Sequence, residues 1–299
     1  MAECLRGGVI GAGVFGGHHA RQYARLEGVR LAAVLDTHPE RAAALAAPLG
    51  AQAFDDLEAF LSVVDVVTVA SPAAFHARHA LAALAAGKPV YVEKPIAATL
   101  DDARRIEAAA NGVVVAAGHQ ERVVFQAMGL LDLPEQPLRL EAVRHGPPSE
   151  RSQDVSAVLD LMVHDLDLAL SLSAARPAKV RADGRRNLVR AEVAFDDGFT
   201  AVFDVSREAP ARRRTMRVAF PSGEVEIDFL ARTFRNTTAF ALDPDFAETP
   251  AGSDPLGASV EGFLQAVRGQ APRPVVTPGE AIRALELALK VEVALGAAP

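Results

Sequence analysis

A chain of 299 residues, half of them hydrophobic and 23% charged, is longer than a single core usually grows, so two domains are expected. Its net charge of −7 argues against a sequence-independent grip on nucleic acid, and its one cysteine, Cys4, leaves no partner for an intramolecular disulfide or a Cys-cluster zinc site. No charge-free apolar run reaches the roughly 20 residues of a membrane span and no basic, apolar leader is read at the start, so a cytoplasmic protein with no membrane or nucleic-acid partner is expected.

Short β-branched runs alternate first with alanine-rich segments. Leu5–Ile10, Leu31–Leu35, Val63–Ala70, Val90–Val92 and Val113–Ala117 read as strands, and Phe15–Leu26, Pro39–Leu49 and Phe75–Ala86 as helices between them. That rhythm predicts an α/β domain with a doubly wound parallel sheet. After Gly118 strands follow one another: Leu138–Arg144, Val180–Arg186, Val189–Phe195, Phe199–Arg207, Thr215–Phe220 and Glu224–Leu230. Within FTAVFDVSR, Phe199, Ala201, Phe203 and Val205 alternate with Thr200, Asp204 and Ser206, as in a half-buried strand. The turn signals Asp-Asp-Gly and Pro-Ser-Gly fit hairpins. Helices are expected only at Ser156–Ser173 and Gly279–Leu295, and 243–259 reads as loop. The second domain is therefore α+β with an open, largely antiparallel sheet, and the domains are expected at 1–119 and 120–299.

The first strand runs into Gly11-Ala12-Gly13-Val14-Phe15-Gly16, a G-x-G-x-x-G opening a helix. Gly11 permits the tight turn, Gly13 lets backbone approach a pyrophosphate, Gly16 lets helix and strand pack, and the helix N-terminus faces the phosphates. Placed between strand and helix, this is a Rossmann dinucleotide site. The second strand ends in Asp36, which suits a ribose 2′-OH and repels a 2′-phosphate, so NAD is expected over NADP. Ligands bind such sheets at the carboxyl ends of strands. Ser71, Pro72 and His76 follow the third clear strand and Glu93 and Lys94 end the next, which makes them cofactor-side candidates, and Lys94 is also placed to hydrogen-bond a substrate hydroxyl.

The stretch VLDLMVHDLDLAL places Asp160, His164 and Asp167 within an arc roughly 60° wide on an α-helix, with Asp165 elsewhere. Such a stripe is a metal site, an acid–base pair or a solvated edge. Three ligands on one face lack a fourth group announced elsewhere, so no metal is expected.

The phrases GVIGAGVFG, SPAAFH and AGKPVYVEKPIA, then GHQER at 118–122 and the D-x-x-x-H of Asp160–His164, resemble in order and spacing the glucose-fructose oxidoreductase/inositol dehydrogenase (Gfo/Idh/MocA) family. The resemblance covers essentially the whole chain. It implies an NAD-dependent dehydrogenase acting on a sugar hydroxyl, with oligomers formed through the second-domain sheet. It also implies a catalytic trio: His164 as base, Asp160 orienting it, and Lys94 positioning the same oxygen. Many members carry glycine where this chain has Met162, which implies a bulkier substrate-side surface here.

Further phrases, RSQDVSAVLDLMVHDLDLALSL, AEVAFDDGFTAVFDVSR and RRTMRVAFPSGEVEIDFL, are similar to the branch that oxidises the 3-hydroxyl of UDP-N-acetylglucosamine for lipid A diamino-sugar synthesis. A nucleotide-sugar diphosphate needs cations, and Arg144, Arg151, Arg207 and Arg213 of the Arg212–Arg214 run are the candidates. The competing readings are another NAD(P)-dependent sugar or polyol dehydrogenase, and a non-catalytic NAD-sensing protein, which would be expected to lose the lysine or the histidine. The sequence leaves open whether His76, His119 or Glu121 touches the nicotinamide or supports a loop.

Overall fold

The computed structural model describes residues 4–148 and 155–296, so Arg151 lies outside the described residues. Two compact units result: the chain through Gln120 with Leu256–Ile282, and Glu121–Pro255 with the chain from Arg283. The polypeptide thus returns to its first unit, where the sequence suggests one crossing. The reason is hydrophobic. Val260, Phe263 and Leu264 join Val9, Tyr23, Val34, Val66 and Tyr91 in the first unit's core, and the buried Tyr91 hydroxyl is satisfied by Ser259 Oγ at 2.9 Å.

The first unit contains β1 (Leu5–Ile10), α1 (Val14–Arg25), β2 (Val29–Leu35), α2 (Pro39–Ala46), β3 (Gln52–Phe54), α3 (Leu57–Ser62), β4 (Val66–Val69), α4 (His76–Ala85), β5 (Val90–Val92), α5 (Leu100–Ala110) and β6 (Val115–Ala117). All its strands are parallel, in the order β3-β2-β1-β4-β5-β6. The order reverses between β1 and β4, so their carboxyl ends flank the crevice at which such sheets bind dinucleotides. The sequence does not announce β3, α3 and α5. β3 is three residues long with two side chains exposed, α3 spans only six residues, and both α3 and α5 are opened by side-chain caps. Asp56 Oδ1 accepts from Ala59 N at 2.8 Å, and Thr99 Oγ1 accepts from Asp102 N at 3.1 Å.

The second unit opens with α6 (Glu121–Met128) and β7 (Arg139–His145). A π-helical turn, Val158–Met162, leads into α7 (Val163–Leu172). There follow β8 (Pro177–Arg185), β9 (Leu188–Phe195), β10 (Thr200–Ser206), β11 (Arg213–Phe220), β12 (Gly223–Asp228), β13 (Thr233–Asn236) and α8 (Pro250–Ser253). The sheet order is β13-β12-β11-β7-β10-β9-β8, and every pairing is antiparallel except β7 with β10. Ala201, Phe203 and Val205 are fully buried, as the alternation of β10 requires. The stretch 243–259 is not a plain loop. It holds a 3-10 turn at Phe246–Glu248, α8, and the start of α9 (Pro255–Val267), because Thr249 Oγ1 caps α8 at Gly252 N and prolines open both helices. The last helix, α10 (Pro278–Gly296), contributes to both units.

Candidate active site

In the first unit the glycine motif has three separable geometries. Gly11 has φ +102°, and a Cβ there would lie 2.7 Å from Ala70 O. A Cβ on Gly16 would sit 1.7 Å from Gly11 O, so this close approach of helix and strand admits no side chain. Gly13 is exposed and its Cβ would meet nothing within 4 Å, so the motif leaves space just where backbone must approach a pyrophosphate. Val14 and Phe15 stand exposed beside it.

Asp36 Oδ2 accepts from Ala12 N at 2.7 Å and Oδ1 from His38 N at 2.9 Å. With His38 Nδ1 also 3.4 Å from Oδ1, the carboxylate still has acceptor capacity for a ribose diol. Burial alone would raise its pKa, but these two N–H donors and the neighbouring His38 hold the carboxyl below its ordinary value. Open space at Gly13 and an ionised acid at Asp36 fit NAD.

The candidates after β4 and β5 divide into those at the crevice and those inside the unit. Pro72 is exposed, and Ser71 is half-buried with Oγ 2.9 Å from His79 Nδ1. Burial and the adjacent Arg78 push His79 down to about 4, so its imidazole is uncharged near neutrality. His76 is 2% exposed, with Nε2 2.7 Å from Ser71 O and Nδ1 2.8 Å from Pro95 O. Both of its ring nitrogens are thus spent in tying these two loops together. Glu93 is likewise turned inward. It accepts from Gln120 Nε2 at 2.9 Å and Lys94 N at 3.2 Å, and lies 2.7 Å from His19 Nε2. Its buried carboxylate anchors the backbone from which half-buried Lys94 projects. His119, left open above, is buried.

In the second unit, Asp160 lies in the π-helical turn and His164 in the first turn of α7, so the even 100° step of an α-helix does not hold between them. Asp167 is buried against Arg122, whose Nε and Nη2 donate to it at 3.1 and 2.5 Å. Asp165 is buried against Arg144, with donor distances of 3.0 and 2.8 Å. Asp160 and His164 remain partly accessible. Met162 is 0% exposed and packs inward, so the bulkier substrate-side surface expected from it does not arise.

The end of the sheet gathers cations around these residues. β7 and β10 are parallel, which brings Arg144 and Arg207 to the same end, and Arg214 pairs across from Arg144 on β11. This geometry sets the surroundings of three of the expected substrate cations. Arg144 is 3% exposed, and besides Asp165 it donates from Nη1 to Glu121 Oε1 at 2.9 Å. Burial would push its pKa down, but the two carboxylates hold it above the ordinary guanidinium value. Arg213 is exposed and pairs across from His145, hence on the face opposite Arg144, while half-buried Arg214 is the member of the run on the Arg144 side. Arg207 donates from Nη2 to Val155 O at 2.5 Å and has Nε 3.9 Å from Asp160 Oδ2.

One carboxylate has gained a role. Glu121, at the start of α6, brings Oε2 to 2.6 Å from His164 Nδ1. Burial would raise its pKa, but His164 and Arg144 hold it well below the ordinary range. The sequence signal is an acid that opens a helix, set off from the end of β6 by Gly118, His119 and Gln120. Among the described residues no cluster of three or more His, Cys, Asp or Glu is arranged to hold a metal ion, and no helix is long and apolar enough to cross a membrane.

Residues 5–119 match the NAD-binding Rossmann domain of the Gfo/Idh/MocA oxidoreductase family, and residues 138–227 match a C-terminal domain of the same family. The chain is 36% identical to a UDP-N-acetylglucosamine 3-dehydrogenase of Acidithiobacillus ferrooxidans over 98% of each chain. A solved structure of that enzyme superposes with TM-score 0.88 at 33% identity, covering 99% of each chain. An inositol 2-dehydrogenase of Cereibacter sphaeroides is 35% identical over 55% of this chain and 52% of its own. The likeness to the UDP-N-acetylglucosamine 3-dehydrogenase thus runs along the full length of the chain, and both family domains are matched in order. The chain belongs to the Gfo/Idh/MocA family and is an NAD-dependent oxidoreductase acting on a sugar hydroxyl.

Proposed function

We propose that the protein oxidises the 3-hydroxyl of UDP-N-acetylglucosamine, with His164 as the base, Lys94 positioning the hydroxyl oxygen and Asp160 acting beside His164. The observation that carries this reading is the reach of the likeness. Identity to the UDP-N-acetylglucosamine 3-dehydrogenase runs through 98% of the chain, whereas that to the inositol 2-dehydrogenase covers about half. NAD supplies the hydride acceptor when bound. The chain's own contribution is to orient the hydroxyl carbon and to accept the hydroxyl proton on an imidazole. Half-buried Arg214 supports the diphosphate, taking over from Arg144, whose donors are committed to carboxylates. The ketone formed suits a transamination step, as in diamino-sugar synthesis for lipid A, and the reducing compartment suggested by a lone cysteine fits a cytoplasmic site. Assembly of copies through the open face of the second sheet belongs to the same reading.

The test is a panel assay: purified protein, NAD, UDP-sugars, free hexoses and inositols, with NADH absorbance as the readout. NADH formed with UDP-N-acetylglucosamine, but not with inositols, is the expected result. Turnover of an inositol with none of the UDP-sugar would overturn the substrate, leaving the family untouched.

A further inference from the structure

We infer that Glu121 is the residue that sets the protonation form of His164, holding the proton on Nδ1 and leaving Nε2 as the proton acceptor. The inference deepens the proposal that His164 is the base and rests on it.

The geometry is a closed chain of contacts. His164 Nδ1 meets Glu121 Oε2 at 2.6 Å, Glu121 Oε1 accepts from Arg144 Nη1 at 2.9 Å, and Arg144 grips Asp165 with two hydrogen bonds. His164 and Asp165 are neighbours on α7, so both ends of the chain fasten to the same helical turn. Three side chains from α6, β7 and α7 therefore fix the imidazole in rotation and in distance. An ionised carboxylate only accepts hydrogen bonds, so the proton between His164 and Glu121 belongs to Nδ1. The lone pair of the neutral ring is then on Nε2. Arg144 contributes a second effect: its cation keeps Glu121 ionised when His164 is neutral, so the acceptor does not vanish between turnovers. When Nε2 takes up a substrate proton, the imidazolium faces a carboxylate already in place.

Other charged groups share this site. Arg214 lies across the sheet from Arg144, and Asp160 stands 3.9 Å from Arg207. The feature peculiar to Glu121 is that one oxygen serves the histidine and the other serves a buried arginine. Glu121→Gln therefore makes a specific change. The isosteric amide must offer its oxygen to Arg144, because its NH2 group would face guanidinium donors. That choice turns the NH2 group toward His164 Nδ1, which must then accept, and the ring proton moves to Nε2. The substitution inverts the tautomer without altering shape.

The experiment uses the full-length protein labelled with 15N-histidine, with the His164 signals assigned by their loss in His164→Ala. In the unsubstituted protein, followed through a pH titration to the end point at which the ring carries one proton, His164 is expected to show a protonated Nδ1 and a bare Nε2. In Glu121→Gln the two signatures exchange, kcat falls by about 10²-fold or more, as when a triad histidine is held in the wrong tautomer, and NAD affinity is unchanged. A bare Nδ1 in the unsubstituted protein overturns the inference whatever the variants do. So does a Glu121→Gln protein whose His164 signature is unchanged, even if turnover falls, since that would be a merely structural effect. Glu121→Ala, which gives Nδ1 neither donor nor acceptor, is the second variant, and a retained Nδ1 proton there also overturns the inference. The tautomer readout needs no substrate, so a wrong sugar assignment fails in the panel assay and leaves this test standing.

Discussion

Arg144 donates through Nε and Nη2 to the two oxygens of Asp165, at 3.0 and 2.8 Å, in a pair whose side chains are only 3% and 4% exposed. Removing one member strands the other's charge in a low-dielectric interior. Asp165→Asn is expected to lower unfolding free energy by about 3–5 kcal/mol, measured by urea denaturation. Exposed Arg139–Glu141 is the internal control: Glu141→Ala should cost under about 1 kcal/mol. Equal losses at both sites would contradict the burial of the Arg144 pair.

The glycine motif predicts a split between folding and binding. Gly16→Ala forces a Cβ against Gly11 O and is expected to lower stability by about 1–3 kcal/mol, seen as a reduced Tm. Gly13→Ala fills open space, so Tm should hold while NAD affinity falls in a fluorescence titration.

We propose that Asp36 sets the cofactor's identity through an ionised carboxylate. Asp36→Ala is expected to weaken NAD by about 10- to 100-fold, the loss of a charged hydrogen-bond partner, and to erode discrimination against NADP. Parallel titrations with the two cofactors measure both effects, and an unchanged NAD/NADP ratio would remove Asp36 from the ribose site.

Glu93 gives the stability curve an acid limb. Its folded-state pKa is lowered: burial opposes ionisation, but His19, Lys94 and their hydrogen bonds outweigh it. A depressed carboxylate contributes stability that is present above its unfolded pKa of about 4.3 and is lost as pH falls through the lower folded value. Denaturation midpoints should therefore decline below about pH 4.3, and Glu93→Gln should show a lower midpoint at neutrality with a shallower acid decline.

His164→Ala and Lys94→Ala are each expected to reduce kcat by about 10²- to 10⁴-fold while leaving NAD titrations unaltered. Steady-state kinetics beside cofactor binding separate the two quantities. Unimpaired turnover in both variants would remove the proposed catalytic roles.

Local signals carried the fold a long way. β1 and β5 end where their β-branched runs end, and the glycine motif opening α1 announces the NAD-binding Rossmann domain, because strand period, turn chemistry and helix starts are near-neighbour effects. The helix at Pro255–Val267 was hidden for the converse reason. Its Val260, Phe263 and Leu264 bury in a core built by distant residues, and nothing adjacent in sequence announces that partner.

The candidate site shows the same division more sharply. The family resemblance in the sequence implies the dehydrogenase chemistry and puts forward Asp160, His164 and Lys94 as its reactive groups. It does not show what surrounds the candidate arginines. Whether an arginine meets substrate or a carboxylate depends on which strand ends lie side by side, and only sheet pairing decided that Arg144 turns to Asp165 and Glu121 while Arg213 faces the other way. Likewise, helical periodicity kept Asp160, His164 and Asp167 on one stripe until a π-helical turn broke their spacing and an arginine from α6 neutralised Asp167. Charge identity is written in the sequence, but charge pairing is a three-dimensional property. Glu121, forty-three residues before His164 in the chain and 2.6 Å from it in space, is where that difference matters most for function.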